Sequence, residues 1–142
     1  MRFARLVFTF AGVWGLIVLT PLYFAFDLVG RAYPPPVTHP DFYFGFVDLA
    51  LAWQIGFLII GRDPLRFRPM MIPAVCEKAF YVISLVVLYT RGRIELGQMA
   101  VGAPDALLGC LFVAAMIQTR AAVVHAPRHR SISAGDPASP LG

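Results

Sequence analysis

Five ionisable side chains stand inside, or at the mouth of, long apolar runs, and any chemistry in this sequence resides with them. Asp27 follows the first run. Asp48 interrupts FYFGFVDLALAWQIGFLII, residues 42–60. Glu77 and Lys78 lie near the start of MMIPAVCEKAFYVISLVVLY, residues 70–89. Asp105 stands among the glycines of the last run. An ionisable group in hydrocarbon costs ~2.5–3.5 kcal/mol or more unless it faces protein or water. Such a group holds a proton, a cation or a hydrogen bond between helices. Other chemistries lack their parts: there is no nucleophile–base pairing, phosphate loop or cofactor fingerprint. His39, His125 and His129 fall outside the runs, so no buried imidazole base is expected. Cys76 and Cys110 have no metal-ligand spacing. Their heights differ by roughly 10 Å, too much for a disulfide, and they read as small buried hydrophobes. No catalytic residue, metal or cofactor is assigned.

The elements that must position these groups are membrane helices. The chain has 142 residues, 58% hydrophobic and only 14% charged, where a soluble domain is nearer a quarter charged. A chain this short cannot bury so much apolar surface in a water-soluble core. The apolar residues form four blocks of about the ~20 residues that span a bilayer: 6–26, 42–60, 73–89 and 99–119. The expected fold is all-α, a four-helix transmembrane bundle over residues 1–125, followed by a disordered tail over 126–142, where little can be buried. The first run is too long for a signal-peptide core and ends in aromatics, so it reads as an uncleaved helix. Asp27 to Asp41 reads as a loop, stiffened into a polyproline-like strap by Pro34, Pro35 and Pro36. Tyr33 and Tyr43 flank it at interfacial depth. Asp41 is the expected N-cap of the second helix and Gly61 its stop. Pro73 and Pro104 fall in first turns, where proline is accepted.

The charges give an orientation. Twelve basic residues oppose eight acidic ones; eleven of the twelve are arginine, and Lys78 is the single lysine. Arg2, Arg5, Arg62, Arg66, Arg68, Arg120, Arg128 and Arg130 fall on one side of the spans. Arg31, Arg91 and Arg93 fall on the other. The positive-inside rule then places both termini in the cytoplasm. Arg62, Arg66 and Arg68, in the second loop, suit anionic headgroups, at ~1 kcal/mol per cation near the surface. They form no patch interleaved with aromatics, which argues against nucleic acid.

Helical spacing aligns the polar groups. The stripes are Thr20, Tyr23 and Asp27; Gly45, Asp48, Ala52 and Gly56; Glu77, Tyr81 and Ser84, beside Lys78; and Gly102, Asp105, Gly109 and Phe112. Ala11 and Gly15 add a small pair in the first span. Small residues mark helix contacts in membranes, so Asp48 and Asp105 are expected to face inward and each other. Two groups result: an outer acidic site of Asp27, Asp48 and Asp105 with Tyr23, and an inner polar cluster of Glu77, Lys78 and Tyr81. Lys78 lies roughly 10 Å deeper than the acids by helix rise, so a bound organic cation or a proton is expected between Asp48 and Asp105. Blander readings stand beside these. Glu77 and Lys78 can snorkel to water from the first turns of their helix. Asp27 and Asp105 can be helix-end acids. Asp48 can make an interhelical hydrogen bond, and Trp53 can simply pack.

The segments HPDFYFGFVDLALAWQ, RDPLRFRPMMIPAVCEK and DALLGCLF resemble small bacterial inner-membrane proteins and, more loosely, the DoxX-like and BphX-like four-span groups. That resemblance implies a membrane bundle and brings no catalytic residues. The layout is also similar to emopamil-binding and sigma-2-receptor bundles, which implies buried acids facing apolar amines or sterols. Three functions are consistent with these features. One is a site for a small lipophilic, cationic molecule in a multi-pass inner-membrane protein. A second is an accessory subunit that docks a membrane partner. The third is a minimal transporter acting as an oligomer.

Overall fold

The computed structural model describes residues 1–32 and 36–124, with side chains through Arg120. The expected tail and most of the proline strap lie outside the described residues. The elements in order are α1 (Arg2–Leu19), which tightens into a 3-10 segment at Thr20–Phe24, α2 (Phe26–Ala32), α3 (Pro40–Arg62), α4 (Met71–Thr90), entered through a 3-10 turn at Arg68–Met70, α5 (Leu96–Ala100) and α6 (Ala103–Val124). Four stretches are long and apolar enough to cross a membrane: Arg2–Phe24, Pro40–Arg62, Arg68–Thr90 and Leu96–Arg120. The chain is an all-α, four-helix bundle. Only 17–28% of each span is buried by the rest of the protein. Large apolar side chains such as Leu6, Phe24 and Phe42 point outward, as lipid-facing helices require.

Several boundaries differ from the sequence reading, each for a local reason. Residues 27–32 are helix, not loop: α2 has Asp27 in its first turn and Arg31 in its last, matching the helix dipole at both ends. α3 begins with Pro40 in its first turn, and Asp41 is inside the helix, not its cap. Gly61 does not stop α3. It is buried in the helix against Thr9 and the Arg5 carbonyl of α1. The stop comes at Asp63, forced out of helical geometry by Pro64. The fourth span is broken between α5 and α6. Gln98 accepts a hydrogen bond from the Glu95 amide at 2.9 Å and starts α5 early. Pro104 then lacks the amide that would continue the helix, and Gly102 at the break admits Leu85 of α4.

α1 is the central packing element: it lies along α3 and also against α6, while α4 packs on α6. Glycines allow the α1–α3 approach. A Cβ at Gly12 would stand 2.8 Å from the Gln54 carbonyl oxygen, and Gly15 makes room for the Gln54 side chain. Below this, Phe8 stacks on Phe112 at 4.3 Å, and Phe57 meets Phe112 edge-on at 4.9 Å. Ala4, Ala11, Ala74 and Ala115 pack around these rings. This apolar plug fills the half of the bundle nearer Arg2, Arg5, Arg62, Arg66, Arg68 and Arg120, here called the arginine end. Toward the other end α3 and α4 scarcely touch.

The inward stripe of α3 is not the one expected. Gly45, Asp48 and Ala52 are exposed, nothing lies near Gly45, and Gly56 meets only its own helix's Trp53. The buried face is Val47, Gln54, Phe57, Ile60 and Gly61. The expected stripe of α6 does face inward: Gly102 and Phe112 are buried, and Asp105 and Gly109 are half-buried. Cys76 and Cys110 are free, and Cys110 faces outward instead of packing inside.

Candidate functional site

α3 and α4 are joined by a short loop yet scarcely touch. The space between them, α1 and α6 is a cavity of about 630 Å³, within the ~300–1,000 Å³ usual for small-molecule sites. Its wall is mostly apolar, with Val18 and Leu22 from the first span, Phe46 and Leu49 from α3, and Val101 and Leu108 from the fourth span. Trp14 and Trp53 contribute indole faces. Polar groups are few: Gln54 on α3, and Glu77, Lys78, Tyr81 and Asp105 where α4 meets α6.

Lys78 organises this polar side. It is 6% exposed. Its Nζ donates to Asp105 Oδ1 at 2.6 Å, joining α4 to α6. It also donates to Glu77 Oε1 at 3.3 Å, with Oε2 at 3.2 Å. The ammonium stands 5.3 Å from the centre of the Phe57 ring, a cation–π distance. Gly109, one turn past Asp105, leaves the Lys78 Cβ in contact with the α6 backbone. The single lysine, the acid and the glycine therefore form one fitted contact.

This corrects the expectation that Lys78 lies too deep to reach Asp105. α5 begins at Leu96, so Asp105 is about nine residues from that end, and Lys78 about twelve residues from the end of α4 at Thr90. The axial difference is ~4.5 Å, which a lysine stem spans. Asp48 is also not where its small neighbours implied. It is exposed, outside the cavity wall, and accepts a hydrogen bond from the Tyr23 hydroxyl. No cation is needed between Asp48 and Asp105, because they do not share a site. Asp27 lies apart again, in a small hollow with Gly30, Arg31 and Pro36. The expected outer site thus divides into three places. Asp105 joins Glu77, Lys78 and Tyr81 instead.

No family model, curated protein or solved structure matches the chain. The geometry alone must carry the functional argument.

Tyr23 and Asp48 belong to a second, structural cluster. Tyr43 donates to the Leu22 carbonyl at 2.9 Å. Its ring meets Phe26 and Phe44 edge-on, and Tyr23 and Phe26 each stack on Phe44. These contacts tie the end of the first span and α2 to the start of α3. At the arginine end, Arg62 and Arg66 are exposed, and Arg66 lies over the Phe67 ring at 5.5 Å. The Arg68 Nε is buried without a hydrogen-bond partner among the described residues.

Gln54, 3% exposed, is the site residue that sequence reasoning missed. Its signal was the seven-residue spacing of Val47, Gln54 and Gly61, which marks the buried stripe of α3. The small-residue stripe around Asp48 competes with that signal in the same helix.

The placement separates two acids that look alike in sequence. Lys78→Met leaves Asp105 and Glu77 without a cation, and unpaired buried charge costs ~3–5 kcal/mol. Thermal unfolding in detergent should show a large loss of stability. Asp48→Asn should cost ~0.6 kcal/mol, the average of a membrane hydrogen bond. Comparable losses for the two variants would contradict this arrangement.

Proposed function

We propose that this protein binds a small lipophilic molecule within the bundle, with the molecule's polar end at Lys78, Asp105 and Glu77. The observation that carries this reading is the cavity itself. Its apolar wall suits a hydrocarbon body, and its charged groups converge where α4 meets α6. The gap between α3 and α4 gives a molecule dissolved in the bilayer a sideways route in. Nothing in the wall is arranged as a nucleophile with its base, so binding is the function advanced and no reaction is assigned. The likeness to DoxX-like and BphX-like bundles is compatible with it and adds no residue roles.

A second reading is an accessory subunit. The outer stripe of exposed Gly45 and Ala52 with half-buried Gly56 favours it, because small residues on an outer face admit another helix closely. It leaves the cavity unexplained.

The proposed setting is a bacterial inner membrane, with the arginine end in the cytoplasm. Six described arginines cluster at that end and three at the other. A reporter active only outside the cytoplasm should be silent after Gly142 and active in the loop near Pro36. The reverse pattern would invert the orientation.

Both tryptophans of the chain line the cavity, so intrinsic fluorescence reports on it. Titration of the protein in phosphatidylcholine nanodiscs with 1-bromododecane should quench that fluorescence saturably. Ala50→Phe, which fills part of the cavity from α3, should raise the half-saturation concentration about tenfold, equivalent to ~1.4 kcal/mol. Quenching that stays linear in bromododecane and ignores Ala50→Phe would mean that the quencher acts from the bilayer and that the cavity binds nothing.

A further inference from the structure

The polar side of the cavity is not balanced in charge. Glu77 and Asp105 are two carboxylates, and Lys78 is one ammonium. The wall contributes no other basic side chain among the described residues. The arginines lie at the ends of the spans, away from this depth. A net negative charge in an apolar surrounding is costly unless a proton or a cation offsets it. Lys78 does not serve both acids equally. It sits at 2.6 Å from Asp105 but at 3.2–3.3 Å from Glu77.

The hydrogen-bond accounting points the same way. Glu77 Oε2 is buried and accepts no hydrogen bond among the described residues. The Gln54 side chain, on α3, is almost wholly buried. Its amide nitrogen donates to the Ala50 carbonyl at 2.9 Å within α3. Its Oε1 is turned toward Gly15 of α1. Glu77 Oε2 thus has the Lys78 ammonium at 3.2 Å but no hydrogen bond among the described residues, and its accepting capacity is unfilled. Trp14, Trp53 and Tyr81 line the same space, and aromatic faces attract cations. An anionic or purely accepting head group would find like charge and an unfilled carboxylate acceptor here.

We infer that the bound molecule is a lipophilic amine in its protonated form. Its N–H groups donate to Glu77, and its chain lies along the apolar wall. This rests on the cavity being a binding site, as proposed above. The ammonium of the ligand supplies the missing positive charge, and Lys78 stays on Asp105. A quaternary ammonium supplies charge but no donor, so it satisfies the site less well than an amine.

The test is displacement of saturable 1-bromododecane quenching in phosphatidylcholine nanodiscs at neutral pH. Dodecylamine and dodecan-1-ol share a chain and differ in the head group. Dodecylamine should displace the quencher at a concentration about tenfold lower than dodecan-1-ol. Dodecyltrimethylammonium should fall between them. Glu77→Gln keeps the side-chain shape and removes the charge; it should bring amine and alcohol to within about twofold by weakening the amine alone. Equal displacement by amine and alcohol in the native protein would overturn the inference and leave the cavity as a neutral lipophilic site, with Glu77 protonated. An absence of saturable quenching would remove the binding site and this inference with it. Should Glu77→Gln fail to fold, the amine-to-alcohol ratio of the native protein decides alone.

Discussion

The ion pair between Lys78 and Asp105 sets what the rest of this bundle must do. In water such a pair contributes little. Within a membrane span neither partner can be solvated in place, so each depends on the other. The pair fixes α4 against α6 at one height and one rotation. That rotation brings Glu77 and Tyr81 to the cavity and turns Ile83 and Val86 outward. Gly109 lies directly beside the Lys78 stem, where a Cβ would stand 3.4 Å from the Lys78 Cβ. A pair this deep would usually be enclosed on every side. Here its open side is the cavity wall, and this is why the cavity has a polar side at all.

A second constraint comes from α1. Small residues let it approach α3 so closely that the two helices behave as one packed unit near the arginine end. The stacked rings of Phe8, Phe57 and Phe112 then fill that half of the bundle. Close packing there cannot continue toward the other end. Trp14 and Trp53 are bulky, the fourth span breaks between α5 and α6, and α3 has no firm contact with α4. The cavity follows from these choices. It is closed below by aromatics, walled by aliphatics, and charged where α4 meets α6. The aromatic cluster of Tyr23, Phe26, Tyr43 and Phe44 holds the far ends together without filling the space between them.

The fold was largely legible in the sequence, because hydrocarbon imposes a simple rule: four blocks of bilayer length must be four helices. Boundaries were less legible where proline and glycine have two uses. Gly61 reads as a helix stop, yet it serves close packing inside α3, and Pro64 sets the real end. The site was legible only in part. Glu77, Lys78 and Tyr81 were grouped by spacing alone, and Asp105 was turned inward correctly by its glycines. The error lay in Asp48. Gly45, Ala52 and Gly56 form as good a stripe as Gly102 and Gly109, and periodicity cannot tell a face that meets a helix from one that meets lipid. Depth counted from the wrong helix ends then separated Lys78 from its true partner. What no single-span pattern contains is the rotation of one helix against another, and the cavity depends on that.

The central claim, that the ammonium of Lys78 lies in contact with the Asp105 carboxylate inside the membrane, can be measured directly. Lys78 is the single lysine, so lysine labelled with 15N at Nζ gives one side-chain signal without assignment. Solid-state dipolar recoupling in lipid bilayers, against aspartate labelled with 13C at Cγ, reads the separation of the two groups. The structure predicts strong dephasing of that nitrogen signal, at a contact distance, abolished by Asp105→Asn. A lysine nitrogen with no measurable coupling to any aspartate carboxyl carbon, or one whose coupling survives Asp105→Asn, would contradict it.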